Sequence, residues 1–191
     1  MILIIDNHSK NILHIKRILD KIGVKYEIRD QRSFLDNLER KEIEGIILSG
    51  GRPQLTSKMD IDDIRADIVS LLKYDVPVLG ICEGHDIIAE VFGGDISELK
   101  IPSIFKGLDI EIHHKSHVFK GLPDEIKVYE HHSVYVNKIP DDFVLTASSE
   151  KNKVEAMFHK DKPIYTVQFH PERSGKHGRK ILKNFIDICS Q

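Results

Sequence analysis

The chain has 191 residues, 40% of them hydrophobic and 30% charged, with a formal net charge of -2 at pH 7. That length suits one domain with a sizeable core, and the balance excludes a disordered chain and any overall electrostatic case for nucleic acid or an anionic membrane. Two cysteines, Cys82 and Cys189, are too few for a disulfide framework, so a reduced, cytoplasmic setting is expected.

In chain order, residues 2–5 are a continuous apolar run ending in Asp6-Asn7, the pattern of a buried parallel strand rather than of a signal peptide. Ile12, Ile15, Ile18, Leu19 and Ile22 recur at helical spacing, and Gly23 stops that helix. Val24–Ile28 alternates as a second strand, and Phe34, Leu35 and Leu38 mark a short helix. Ile46-Ile47-Leu48 is a third buried strand, running into Ser49-Gly50-Gly51. Helical spacing returns from Ile61 to Leu72. Val76–Leu79 reads as a fourth strand, Gly80–Gly84 as a tight turn, and 85–92 as the helix beyond it, ended by Gly93-Gly94. Strand-like pieces follow at 108–113, 126–130, 133–136, 143–147, 154–158 and 164–169. A last helix runs from about 175 to 189, with Ile181, Leu182, Phe185 and Ile188 on one face. No apolar run reaches the roughly 18 residues of a membrane span.

The alternation of strand and helix in the first half predicts an α/β fold with a doubly wound, mostly parallel sheet flanked by helices. No repeat or linker splits the chain, so residues 1–191 are expected to form a single domain.

The chemistry is carried by Gly80-Ile81-Cys82-Glu83-Gly84. An apolar strand running into Gly-x-Cys-x-Gly and then a helix is the cysteine form of the nucleophile elbow. The glycines let the chain pass close by, and the thiol stands at a helix N-terminus, where the dipole favours the thiolate. A lone cysteine is more often a small buried residue; the flanking glycines and the strand–turn–helix context reverse that preference. The backbone N–H of Glu83 is placed to meet a tetrahedral oxyanion. Partners lie at Gln168-Phe169-His170-Pro171-Glu172: His170 as the base that takes the thiol proton and Glu172 as the carboxylate that orients it. Gly50 and Gly51 follow a buried strand, and the Gly51 N–H is assigned as the second oxyanion donor.

His113, His114, His117, His131 and His132 invite a metal reading. Adjacent residues on a strand point to opposite faces, and neither a cysteine pair nor a His-Glu-x-x-His helix accompanies them, so no metal site is assigned.

These motifs together resemble the class I (triad-type) glutamine amidotransferases, flavodoxin-like in fold. Within them the chain is most similar to the separate glutaminase subunit of archaeal-type GMP synthase. The matching segments are Ile4-Ile5-Asp6-Asn7, Ser49-Gly50-Gly51, Gly80–His85, Phe119–Pro123, Gln168–Glu172 and Gly178–Phe185. The resemblance implies that Cys82 attacks the amide of glutamine to form a thioester, which water resolves to glutamate. The ammonia released would pass to a GMP synthetase ATP-pyrophosphatase subunit that aminates XMP to GMP. ATP and Mg²⁺ are expected on that partner only, and no phosphate-binding Gly-x-x-x-x-Gly-Lys-Ser/Thr loop occurs in this chain. Gly50, Asp86, His132 and Ser133 are expected to line the glutamine pocket.

Three positions depart from the family pattern. Asp86 stands where the family usually has Gln, Glu83 where it has an apolar residue, and Val134 where GMP synthase members have Asp. A carboxylate at position 83 opposes thiolate formation, by little if it points to solvent. Two other readings stay open: a divergent paralogue acting on another amide or γ-glutamyl bond, and a non-catalytic binding or regulatory module.

Overall fold

The apolar run at the start of the chain becomes strand β1 (Ile2–Asp6), with Ile2, Leu3, Ile4 and Ile5 fully buried. The structure, a computed structural model, describes residues 1–30, 42–51, 68, 70–71, 74–115 and 117–191. The other strands are β2 (Tyr26–Asp30), β3 (Gly45–Leu48), β4 (Val78–Ile81), β5 (Asp95–Ile112), β6 (Glu125–Lys138), β7 (Phe143–Ser148), β8 (Ala156–His159) and β9 (Ile164–Val167). They form one sheet in the order β2-β1-β3-β4-β9-β8-β7-β5-β6. The first five strands of that order run parallel, and the rest extend the sheet antiparallel.

The described helices are α1 (Ile12–Ile22), α2 (Glu83–Val91) and α3 (Gly175–Cys189), with one-turn 3-10 helices at His117–Phe119 and Pro171–Arg173. Successive strand side chains face opposite ways. Ile2, Ile4, Ile47 and Leu79 therefore pack beneath Ile15 and Leu19 of α1 and Leu182 and Phe185 of α3. Leu3, Ile5, Ile46 and Leu48 form the opposite core, with Ile88 and Ala89 of α2. Burying each such Ile or Leu stabilises the fold by about 1.5–3 kcal/mol. Gly23 closes α1 at φ 80°, and its N–H donates to Leu19 O (2.9 Å) and Asp20 O (3.2 Å).

The second half differs in detail from the sequence expectation. Strand β5 begins at Asp95 rather than at 108, because residues 95–107 are mostly exposed and carry no apolar alternation. Their strand character comes from pairing with β6, interrupted by register shifts such as that at Lys106/Leu108. Strand β6 joins the expected pieces 126–130 and 133–136, since Glu130 and His132 are buried in phase with Ile126, Val128, Val134 and Val136. Helix α2 starts at Glu83, so the turn at the elbow is tighter than Gly80–Gly84. The short helix at Phe34–Leu38 lies outside the described residues, as does most of Ile61–Leu72, where residues 68, 70 and 71 are helical. Among the described residues no helix is long and apolar enough to cross a membrane.

Because β1, β3, β4 and β9 are parallel, their carboxyl ends share one edge. The chain leaves that edge at Asn7, Ser49, Cys82 and Gln168, where ligands of open α/β sheets bind.

Candidate active site

Cys82 sits between β4 and α2 with φ 52° and ψ -107°, a backbone conformation that side-chain-bearing residues rarely adopt. Its N–H donates to Val167 O (2.8 Å), and its carbonyl accepts from His85 N (2.9 Å) and Asp86 N (3.1 Å). The glycines are required by contact. A Cβ on Gly80 would lie 2.6 Å from Gly84 O, and one on Gly84 would lie 2.5 Å from Leu48 O. The elbow thus presses against two strands and aims the thiol out of the sheet edge.

The thiol is 7% exposed, with Sγ 3.7 Å from His131 O and within hydrogen-bonding reach of the His170 ring. Burial pushes the Cys82 thiol up. His170 pulls it back, while Asp86 and Glu83 add to the rise. Burial and the two carboxyl groups thus oppose the thiolate, and His170 is the group that favours it.

His170 Nδ1 donates to Glu172 Oε1 at 2.7 Å, which fixes the tautomer and leaves Nε2 for the thiol. Burial works against a charged ring, yet Glu172 and Cys82 hold His170 well above the usual imidazole range. The loop is clamped: His170 N donates to Tyr129 O (2.8 Å), and Ser174 Oγ donates to His170 O (2.6 Å) while accepting from Tyr129 N (3.0 Å). Arg173 covers the Tyr129 ring, 4.2 Å from its centroid. Asn11 Nδ2 comes within 3.2 Å of His170 Nδ1, oriented by Arg173 Nη1 donating to Asn11 Oδ1 (3.2 Å).

Gly50 lies directly against the pair: a Cβ there would be 2.9 Å from His170 Cε1 and 3.3 Å from Cys82 Cβ. The strand end is pinned by Asn7, whose N–H donates to Ser49 Oγ (3.0 Å) and whose amide donates to Ser49 O (3.0 Å). Gly51 and Glu83 face each other. The Glu83 carboxylate turns back from α2 and fills the place where a Cβ on residue 51 would stand, so it points into the site rather than to solvent. The nucleophile therefore has a carboxylate neighbour whose charge opposes the thiolate.

Of the remaining expected pocket residues, Ser133 and His132 lie on opposite faces of β6 and Asp86 lies on α2. Ser133 shares its side of the strand with Tyr129 and His131, the side facing His170. His132 is on the other side, where Nδ1 donates to Val134 O (2.7 Å) and Nε2 lies 3.5 Å from Glu130 Oε2. Asp86 is 2% exposed, and its Oδ2 accepts from Gln168 Nε2 at 3.4 Å. His113 Nε2 pairs with Ser148 Oγ (2.8 Å), and His114 and His117 pack on Phe158. Among the described residues no group of three or more His, Cys, Asp or Glu is arranged to hold a metal ion.

Sequence reasoning missed Asn11, Tyr129 and Ser174 as supports of His170, and the Glu130–Glu155 pair. Both glutamates are fully buried, with Ser103 Oγ donating to Glu130 (3.0 Å) and Ser149 Oγ to Glu155 (2.7 Å). Burial and the Glu130 charge push Glu155 up to about 10. Burial opposes ionisation of Glu130, but His132, Glu155 and Ser103 hold it below the usual range. The parity of Glu130 with Ile126 and Val128 was the available signal.

Residues 3–189 match the family Glutamine amidotransferase class-I, and the chain belongs to that family. A glutamine-hydrolyzing GMP synthase subunit from Methanopyrus kandleri is 38% identical over 192 residues, 100% of both chains. The subunit of the same name from Methanocaldococcus jannaschii is 38% identical over 191 residues, 99% of this chain and 97% of the relative. A crystal structure described as that of a GMP synthase subunit from Thermoplasma acidophilum superposes with TM-score 0.86 at 34% identity, covering 99% of this chain and 93% of that one. A glutamine amidotransferase from Thermotoga maritima, TM-score 0.76 at 19% identity, shares the fold over 97% of this chain and 82% of that one.

Proposed function

We propose that this chain is the glutaminase subunit of a GMP synthase, with residues 1–191 acting as one amidotransferase domain. One observation carries the chemistry: a thiol at a strained elbow stands within reach of an imidazole whose far nitrogen donates to a buried carboxylate at 2.7 Å. Full-length similarity to proteins named as glutamine-hydrolyzing GMP synthase subunits supports the substrate and the pathway.

In this reading, Cys82 Sγ attacks the side-chain carbonyl carbon of glutamine as its proton passes to His170 Nε2. The carbonyl oxygen becomes an oxyanion held by the N–H groups of Gly51 and Glu83. The tetrahedral intermediate collapses, His170 returns the proton to the leaving nitrogen, and ammonia departs from a γ-glutamyl thioester. Water, deprotonated by the same ring, then attacks the thioester, releasing glutamate and restoring the thiol. Gly50, Ser133, Asp86 and His132 belong to the pocket or its immediate support. Ammonia is consumed by a synthetase subunit that carries ATP and Mg²⁺ and aminates XMP, and the assembly works in the cytoplasm.

The test is glutamate release from glutamine by the chain alone and with a GMP synthetase subunit, ATP, Mg²⁺ and XMP, with Cys82→Ala as control. Cys82-dependent release stimulated by the synthetase is expected. No release from a folded chain beside an active synthetase would refute the reading and turn the search to other amides, which the Glu83 carboxylate over Gly51 would then favour.

A further inference from the structure

Asp86 and Gln168 are 82 positions apart and meet behind the nucleophile. Asp86 is in the first turn of α2, its N–H bonded to Cys82 O, and Gln168 is two residues before His170. Both are essentially buried, at 2% and 0% exposed. They share one hydrogen bond, Gln168 Nε2 to Asp86 Oδ2 at 3.4 Å. Their two other oxygens, Asp86 Oδ1 and Gln168 Oε1, are buried with no hydrogen-bond partner. Two orphaned acceptors on residues that already touch are costly, and one proton resolves both.

We propose that Asp86 is a neutral carboxylic acid locked in a two-bond acid–amide pair with Gln168, Gln168 Nε2–H donating to Asp86 Oδ2 and Asp86 Oδ1–H donating to Gln168 Oε1. The pair is a positioning device. It ties the turn that presents Cys82 to the strand end that presents His170, so the distance between nucleophile and base is set by it. Gln168 is held on its other side by its N–H bond to Glu155 O at 2.7 Å, which gives the clamp a fixed anchor.

The surroundings favour this protonation state. Burial pushes the Asp86 carboxyl well above the usual carboxylate range, and the charged groups bearing on it, Glu83 and Glu90 of α2, are both acids. Gln168 alone opposes the rise. The remaining titratable neighbour is the Cys82 thiol, whose ionisation a charge on Asp86 opposes. Ionising Asp86 therefore does two things at once: it breaks the second bond of the clamp, and it disfavours the thiolate. Activity that rests on the Cys82–His170–Glu172 reading then falls as Asp86 loses its proton, where free thiolate alone would make it rise.

Asp86→Asn separates the two roles of the proton. Its amide keeps both bonds to Gln168 and cannot ionise. Three readouts test the pair. The first is a protonated-carboxyl C=O band in the infrared difference spectrum between wild type and Asp86→Asn at neutral pH, in which the band of protonated Glu155, common to both chains, cancels. The second is the pH profile of Cys82 alkylation by iodoacetamide on the same chain, expected to shift to lower pH in Asp86→Asn. The third is the pH profile of glutamate release in the complex with the synthetase, whose fall on ionisation of Asp86 is expected to vanish in Asp86→Asn. Gln168→Met, which removes both bonds, is expected to lower kcat by roughly 10- to 100-fold with KM little changed, each lost hydrogen bond counting for up to about tenfold at the transition state. The first two readouts need no glutamine chemistry, so they stand even if the chain hydrolyses a different amide. Absence of the infrared band, an unshifted alkylation profile, or an Asp86→Asn defect seen as raised KM at every pH would overturn the proposal, the last by making Asp86 a substrate ligand.

Discussion

Replacing Glu172 by Gln tests how far the base depends on its carboxylate. Glu172 is 7% exposed and accepts the His170 Nδ1 proton at 2.7 Å. A charge-assisted hydrogen bond in such a setting is worth about 1.5–3 kcal/mol, so its loss alone slows proton transfer roughly 10- to 150-fold. The structure adds a second penalty. Asn11 Nδ2 is 3.2 Å from the same Nδ1, and Arg173 holds the Asn11 oxygen on the far side, so the nitrogen cannot turn away. Once the carboxylate is gone, that amide N–H donates to a bare Nδ1 and drives the ring proton onto Nε2. In that tautomer His170 cannot accept the thiol proton, and the loss extends toward about 10⁴-fold, as for other triads with the wrong tautomer. The assay is kcat for glutamate release by the synthetase complex, with circular dichroism to verify folding. Adding Asn11→Ala to Glu172→Gln should recover about tenfold by removing the competing donor. A loss below about threefold in the single variant, or no recovery in the double, would refute the tautomer argument.

Three further outcomes follow from the same geometry. Glu83→Gln removes a carboxylate that raises the Cys82 thiol and fills the space beside Gly51, so iodoacetamide should alkylate Cys82 several-fold faster at neutral pH; an unchanged rate would mean that the carboxylate has no hold on the thiol. Gly84→Ala places a methyl 2.5 Å from Leu48 O and should destabilise by about 1–3 kcal/mol, read as a fall in Tm of roughly 2–12 °C, whereas an unchanged Tm would contradict the close packing of the elbow. Glu155 keeps its proton up to about 10 in the folded chain but loses it near the ordinary carboxylate value when unfolded. Its contribution is therefore fully present below the unfolded value and is lost as pH rises toward 10, and Glu155→Gln should flatten the decline of Tm between about pH 5 and pH 9, a slope measurable by thermal melts in paired buffers.

The parts legible in the sequence are those set by neighbours along the chain. Ile2–Ile5, Ile46–Leu48 and the Gly80–Gly84 elbow announce strands and a turn because burial and contact demand those residues in that local order. His170 and Glu172 are two positions apart, so their pairing could be read directly. The hidden parts depend on contacts across the fold. Residues 95–107 have no strand pattern of their own and become β5 by pairing with β6. His131 and His132 stood between two expected strand pieces, yet one strand runs through them, with Glu130 and His132 buried in phase with Val128 and Val134. The Glu83 carboxylate fits against Gly51, beyond the end of β3, and the partner of Asp86 comes from the far end of the chain.

Three carboxyl groups surround one thiol here, and their effects differ because their positions relative to the Cys82–His170 pair differ. Activation moves a proton from sulfur to the ring, leaving negative charge on Cys82 and positive charge on His170. A carboxylate beyond the ring, as at Glu172, stabilises that charge-separated state, since it lies nearer the positive end. A carboxylate on the sulfur side, as at Glu83 or an ionised Asp86, opposes it by the same law. The protein can tolerate Asp86 behind the sulfur only by keeping its proton, and the orphaned Gln168 oxygen supplies the acceptor that makes the neutral form the bonded one. Glu83 stands instead in the space beside Gly51, so turning its carboxylate away from the sulfur would remove the part of the rise that it imposes on the thiol.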